Sequence, residues 1–221
     1  MIDYFENGLL FFCQDSQREL ATISVFHFET EKTWKEKNSS LAESLNSILE
    51  KYPEEHHEEI VIDHAENFHL TQTKYPSLHR EAILITIYNF LENDLNRLCS
   101  QLQEIVGFSL KLKDLHGSGI ERAFLYLEKV SSFSFENMET EIGYIKNINK
   151  IRNIIVHSGG YLAKETNRST LEFIKQNRYL SGAPDCYIDI ESGFIDELIG
   201  NLIEFYEKLQ FEIEKFIDRH P

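Results

Sequence analysis

Residues Ser77–Gly107 read SLHREAILITIYNFLENDLNRLCSQLQEIVG. An apolar run, Ala82, Ile83, Leu84 and Ile85, predicts burial on several sides. Tyr88, Leu91, Leu95, Leu98, Leu102 and Ile105 then recur at steps of three and four, which keeps them on one helical face. Pro76 stands before the stretch, and Gly107 follows it as a C-cap residue. A helix this long with a single apolar face needs partner helices.

The flanking sequence supplies them. DSQRELATISVFHFETEKTWKEK opens on Ser16-x-x-Glu19, a capping-box signature, and predicts a helix that runs into SLAESLNSILEKY and breaks at Pro53. HHEEIVIDHAENFHL is a weaker helical segment. Two further boxes, Ser118-x-x-Glu121 and Ser169-x-x-Glu172, predict short helices at GIERAFLYLEKV and RSTLEFIKQNRYL. NMETEIGYIKNINKIRNIIVH carries Met138, Ile142, Ile145, Ile148, Ile151 and Ile155 as its apolar row. The last segment places Phe194, Leu198, Leu202, Phe205, Leu209, Ile213 and Phe216 on one stripe. YLSGAPDCYIDIES, before it, reads as a small hairpin or extended loop. The expected fold is an all-α antiparallel helical bundle. It forms one domain over 1–221, with 1–70 as a helical extension packed on a bundle at 75–217.

The chain has 221 residues and a formal net charge of −15. Such acidity argues against nonspecific coating of nucleic acid, which needs Lys and Arg. The charge is uneven: residues 1–110 carry 19 acids against 8 bases, and residues 111–221 carry 18 against 14. Between Tyr144 and His157 stand Lys146, Lys150 and Arg152, with no acid. Three scattered cysteines, Cys13, Cys99 and Cys186, form no C-x-x-C and fit buried thiols in a reducing cytoplasm. GLLFF is too short for a signal peptide or membrane span, so no membrane association is expected.

The chemistry-bearing stretch is KIRNIIVHSGG, Lys150–Gly160. Arg152 and His157 are five positions apart, about 500° of helix or roughly 140° around the axis, so they do not share a face. They converge only if the helix ends between them or a second chain supplies one of the two. Gly159 and Gly160 predict a helix end with a positive φ, which places His157 in the last turn, where a cationic imidazolium is favoured. A histidine beside a permanently charged arginine suits phosphoryl chemistry without a metal.

RNIIVH resembles the R-x4-H motif of HEPN-domain proteins, including the polar residue after the arginine. The order of helices over roughly 75–217 is similar as well. The resemblance implies a metal-independent, cofactor-free endoribonuclease that acts as a toxin or antiphage defence effector in the cytoplasm. It implies a homodimer whose two motifs meet, with RNA (tRNA or mRNA) as substrate and an antitoxin or defence-system partner. Arg152 would stabilise charge on the scissile phosphate, His157 would act as general acid or base, and Asn153 would orient the phosphate or the histidine. Lys146 and Lys150 are candidate RNA contacts. Where some family toxins carry a modifiable tyrosine two residues after the histidine, this chain has Gly159; its nearest tyrosine is Tyr161. The alternative is a non-catalytic HEPN-like module that binds RNA, nucleotide or a protein.

Other features read blandly. His57 and His64 share a face near Glu and Asp but form no H-E-x-x-H, so a solvated acidic helix is expected and no metal site. His116 precedes a Gly-Ser-Gly turn without the lysine of a phosphate loop. Glu92 and Asp94 sit two apart and point away from each other on a helix.

Overall fold

The computed structural model describes residues 3–221. Seven α-helices carry the fold among the described residues: α1 Phe12–Leu49, α2 His57–His69, α3 Tyr75–Val106, α4 Gly119–Lys129, α5 Glu139–Ser158, α6 Arg168–Gln176 and α7 Ser192–Arg219. The all-α bundle is the observed architecture. α3 runs where its periodicity places it, with Pro76 in its first turn and Gly107 closing it at φ 76°. Of the run Ala82–Ile85, Ile83 and Leu84 are buried, Ile85 is partly covered and Ala82 faces solvent. One core cluster runs from Tyr4 through α3 to Phe216 on α7. The whole α7 stripe from Phe194 to Phe216 is buried in it.

Four two-residue strands stand before the last helix: β1 Tyr161–Leu162, β2 Leu180–Ser181, β3 Cys186–Tyr187 and β4 Asp189–Ile190. β2 pairs with β4 and β1 with β3, both antiparallel. The expected hairpin is therefore the β2–β4 pair. Its loop also captures β1, the segment that follows the Gly-Gly.

Two of the three capping boxes do other work. α1 begins at Phe12, so Ser16 lies inside it, and its hydroxyl donates to Asp94 Oδ2 at 2.6 Å, with Phe12 O at 2.8 Å as the other acceptor within reach. At α6 the N-cap is Asn167, whose side chain accepts from Ser169 N at 2.8 Å. Only Ser118 holds an N-cap position, without a side-chain bond. Asn and Ser compete closely as N-caps, and the sequence alone did not separate them.

Buried polar contacts fix how the helices register. Asp94 on α3 is 4% exposed. Its Oδ2 accepts from Ser16 Oγ on α1 and from Tyr206 OH on α7 at 2.8 Å, and its Oδ1 accepts from Arg97 Nη2 at 2.6 Å. Burial and the neighbouring Asp94 charge hold the Tyr206 phenol well above its ordinary range, so it remains a donor. α5 is pinned to α7 by Lys208 to Glu141 at 2.7 Å and Tyr144 to Glu197 at 3.2 Å. No helix among the described residues is long and apolar enough to cross a membrane.

Tyr206→Phe deletes one donor from this enclosed carboxylate and leaves the ring packed. The expected loss is about 1–3 kcal/mol of unfolding free energy, read as a lower urea midpoint at unchanged slope.

Candidate functional site

α5 carries the motif and spans 20 residues. Its inner face is the isoleucine row, with Ile145, Ile148, Ile151 and Ile155 buried and Ile142 partly so. At about 100° per residue, Lys146, Lys150, Asn153 and His157 fall within roughly 60° of one another. This stripe faces outward: Lys146, Lys150 and His157 are exposed and Asn153 is half-buried.

The helix does not end between Arg152 and His157. It continues to Ser158, so within one chain the two side chains stay on different faces. The helix end itself is as expected. Gly159 has φ 57° and Gly160 φ 83°, and the N–H groups of both turn back to Ile154 O, that of Gly160 at 3.3 Å. β1 follows directly, so the strand insert is attached to the end of the motif helix.

Arg152 points toward α3. Its Nη1 donates to Asn153 Oδ1 at 3.0 Å and its Nη2 to Asn89 Oδ1 at 3.2 Å, and the guanidinium lies 5.5 Å from the Tyr88 ring centre. Nε is enclosed without a partner. A guanidinium has five N–H donors, so Nη1 and Nη2 each keep one N–H beyond these bonds. Asn153 connects the two faces: its Oδ1 receives Arg152 and its Nδ2 donates to Asn149 Oδ1 at 3.2 Å. The Tyr88 hydroxyl is pushed up to about 12, by burial first and then by Glu92, with Arg152 opposing. Tyr88 therefore stays a neutral platform under the arginine.

His157 makes no side-chain hydrogen bond among the described residues and is open to solvent. Lys150 Nζ bonds Asn147 Oδ1 at 3.1 Å and Ser169 Oγ at 3.3 Å. Lys146 borders a cavity of about 480 Å³ whose wall includes Glu121, Glu128 and Glu139. The basic stripe is thus less basic at its Lys146 end than the linear sequence suggests, because α4 brings acids beside it. Tyr161 is partly exposed, and its hydroxyl lies 3.4 Å from Asp185 Oδ1.

Asn89 and Tyr88 were not singled out as site residues from sequence. Tyr88 reads as part of the apolar face of α3, and nothing in the spacing links position 89 to 152. Glu92 and Asp94 diverge as expected: Asp94 enters the core, whereas the Glu92 carboxylate lies against Gly119 at the start of α4. Of the cysteines, Cys13 and Cys99 are buried, but Cys186 is exposed on β3.

A second polar cluster lies between α1 and α3. His27, Glu31 and His79 offer ligand atoms all within 4.8 Å of one another. His27 and Glu31 are one helical turn apart, a legible i,i+4 spacing, but His79 comes from another helix. His57 and His64 on α2 are spent locally: His57 Nε2 faces the carbonyls of Leu49 and Tyr52 at 2.9 Å, and His64 Nδ1 that of Ile60 at 2.9 Å.

No family model, curated protein or solved structure matches this chain.

Gly159 has open space where a Cβ would point, so its replacement acts through the backbone alone. Gly159→Ala is expected to cost about 1–2 kcal/mol for a left-handed L-residue. Gly159→Asn, which tolerates that region, should cost less. Urea unfolding of the two variants checks the order.

Proposed function

We propose that this chain is a metal-independent endoribonuclease of HEPN type, a cytoplasmic toxin or antiphage defence effector that cuts RNA at a site shared by two copies. The observation that carries the reading is the state of α5. An arginine is held in place by Asn89, Asn153 and the Tyr88 face, and an exposed, unengaged His157 closes the same helix. A guanidinium with unused N–H groups suits a phosphate oxygen. A free imidazole suits proton transfer at neutral pH.

Because Arg152 and His157 occupy different faces, the composite site needs a second copy of α5. Packing of the two helices about a two-fold axis would have to set each Arg152 near the partner subunit's stripe. In the reaction, the RNA 2′-OH loses its proton to one His157 as its oxygen bonds to phosphorus. The P–O5′ bond breaks, and the leaving oxygen takes a proton from the second imidazolium. Arg152 neutralises the phosphorane oxygens, and Asn153 keeps Arg152 in register. The products are a 2′,3′-cyclic phosphate and a 5′-OH. Lys150, and Lys146 in part, would contact the flanking phosphates.

One observation favours a second reading, a HEPN-like module that binds without cleaving. α5 runs unbroken to Ser158, so a single chain keeps Arg152 and His157 on different faces.

The test is cleavage of tRNA and total RNA by purified protein in EDTA, wild type beside His157→Ala. The expected loss is about 10²–10⁴-fold, the contribution of a general acid–base group, with cyclic-phosphate ends in the wild-type products. Equal cleavage by both proteins, or RNA binding without cleavage by the folded wild type, would overturn the catalytic reading. A monomer at assay concentration would overturn the shared site.

A further inference from the structure

His27 is 1% exposed and Glu31 6%. Both are on α1, one turn apart, and the half-buried His79 meets them from α3. His27 Nδ1 and His79 Nε2 are 3.1 Å apart. The two rings lie in nearly parallel planes, 5° apart, with centres separated by 5.2 Å. Nitrogens that are closer than the centres mean that the rings meet edge to edge, each presenting a ring nitrogen to the other. Two imidazole nitrogens on one tetrahedral ion, each about 2.0–2.1 Å from it, stand roughly 3.3 Å apart. The pair therefore needs to open by only a few tenths of an ångström to admit an ion.

We propose that His27, Glu31 and His79 form a binding site for a zinc-like divalent transition-metal ion. The surrounding contacts are those such a site uses. Ligating histidines commonly give their second nitrogen to a carbonyl. His27 Nε2 lies 3.3 Å from Ser192 O and 3.2 Å from Ser192 Oγ. Donation to that carbonyl leaves Nδ1 bare toward His79. Glu31 is held by Arg80, with Nε to Oε1 at 2.7 Å and Nη2 to Oε2 at 2.8 Å, and Arg80 Nη1 is anchored on Ile190 O at 3.1 Å. A carboxylate has about four lone-pair sites, so the Arg80 fork orients Glu31 and leaves pairs for an ion. A groove of about 330 Å³ opens onto His27 and Glu31 and is lined as well by Asp196, Lys32 and Lys35. It leaves a fourth position for water.

The donor set selects the metal. Two imidazoles and one carboxylate suit Zn²⁺ and its neighbours, whereas Ca²⁺ and Mg²⁺ require oxygen. Arg80 and the two lysines oppose added positive charge, and Asp196 offsets part of it. The bound ion would tie α1, α3 and the start of α7 together, and through Arg80 the strand β4 as well. The site is separate from Arg152 and His157, and the inference does not rest on the ribonuclease reading.

The experiment uses the full chain, stripped with EDTA and desalted. Titration with Co²⁺ should give a visible d–d band that saturates near one equivalent. Zn²⁺ should displace it and raise Tm. His79→Gln should lose the band and the Tm rise, while the double variant His57→Gln, His64→Gln keeps both. No band, a band that survives His79→Gln, or one that disappears with the α2 histidines would overturn the proposal. X-ray absorption of the zinc-loaded wild type reads the ligands without a variant. Two imidazole shells are expected, and fewer than two would overturn the site even if His79→Gln fails to fold.

Discussion

A carboxylate removed from water sets the register of the bundle. A carboxylate inside the core is costly unless its lone pairs are filled, and besides Arg97 of α3 itself the groups that fill those of Asp94 come from α1 and α7. Ser16 and Tyr206 reach it only at one height of each helix along α3. Apolar stripes tolerate some sliding, because hydrophobic contact is non-directional. Hydrogen bonds to a fixed carboxylate do not. Burial, and after it the same charge, pushes the neighbouring Cys13 thiol far up, so it packs as an inert apolar group.

α3 is therefore more than an apolar face. Its first turns carry His79 and Arg80 to α1 and β4, its middle carries Tyr88 and Asn89 to Arg152, and Asp94 follows toward α1 and α7. From residue 79 to residue 94 the helix rises roughly 22 Å at 1.5 Å per residue, so a single rigid rod spaces all three groups. Anything that shifts α3 along α1 disturbs the arginine on α5 as well as the two histidines. Fold and site share one scaffold, and the outward stripe of α5 is what that scaffold leaves uncovered.

The sequence made this arrangement partly legible, and the boundary is physical. Periodicity finds faces, because burial repeats every turn: the α7 stripe, the isoleucine row of α5 and the face of α3 are all seen where the spacing places them. Gly107 and Gly159 were readable because only a left-handed position calls for them there. Ser16 reads locally as a cap, since a serine three residues before a glutamate carries the same pattern whether it starts a helix or sits inside one. What decided it was Asp94, 78 residues away. The same limit hid Asn89 from Arg152 and His79 from His27. Side-chain pairs between helices depend on packing, and no spacing rule encodes them. Acids brought by α4 beside Lys146 belong to this class too, which is why a base-only stretch of chain makes a more mixed surface in space.

That mixed surface bears on how a polyanion could approach. The chain carries a net −15, yet at physiological ionic strength charges beyond about 8 Å are largely screened. The acids on the exposed parts of α1 and α2 then count for little at the stripe of α5. Those that count are the near ones, Glu121, Glu128 and Glu139. They bias contact away from Lys146 and toward Lys150, Asn153 and His157, the end nearest the Gly-Gly. Long-range steering would repel RNA at low salt and weaken as salt rises, the reverse of the usual behaviour of a basic nucleic-acid binder. Recognition on such a surface depends on short-range fit at one end of one helix. In the proposed shared site a second copy of the chain would add there what a single α5 lacks, an arginine and a histidine on facing surfaces, without changing the sign of the distant field.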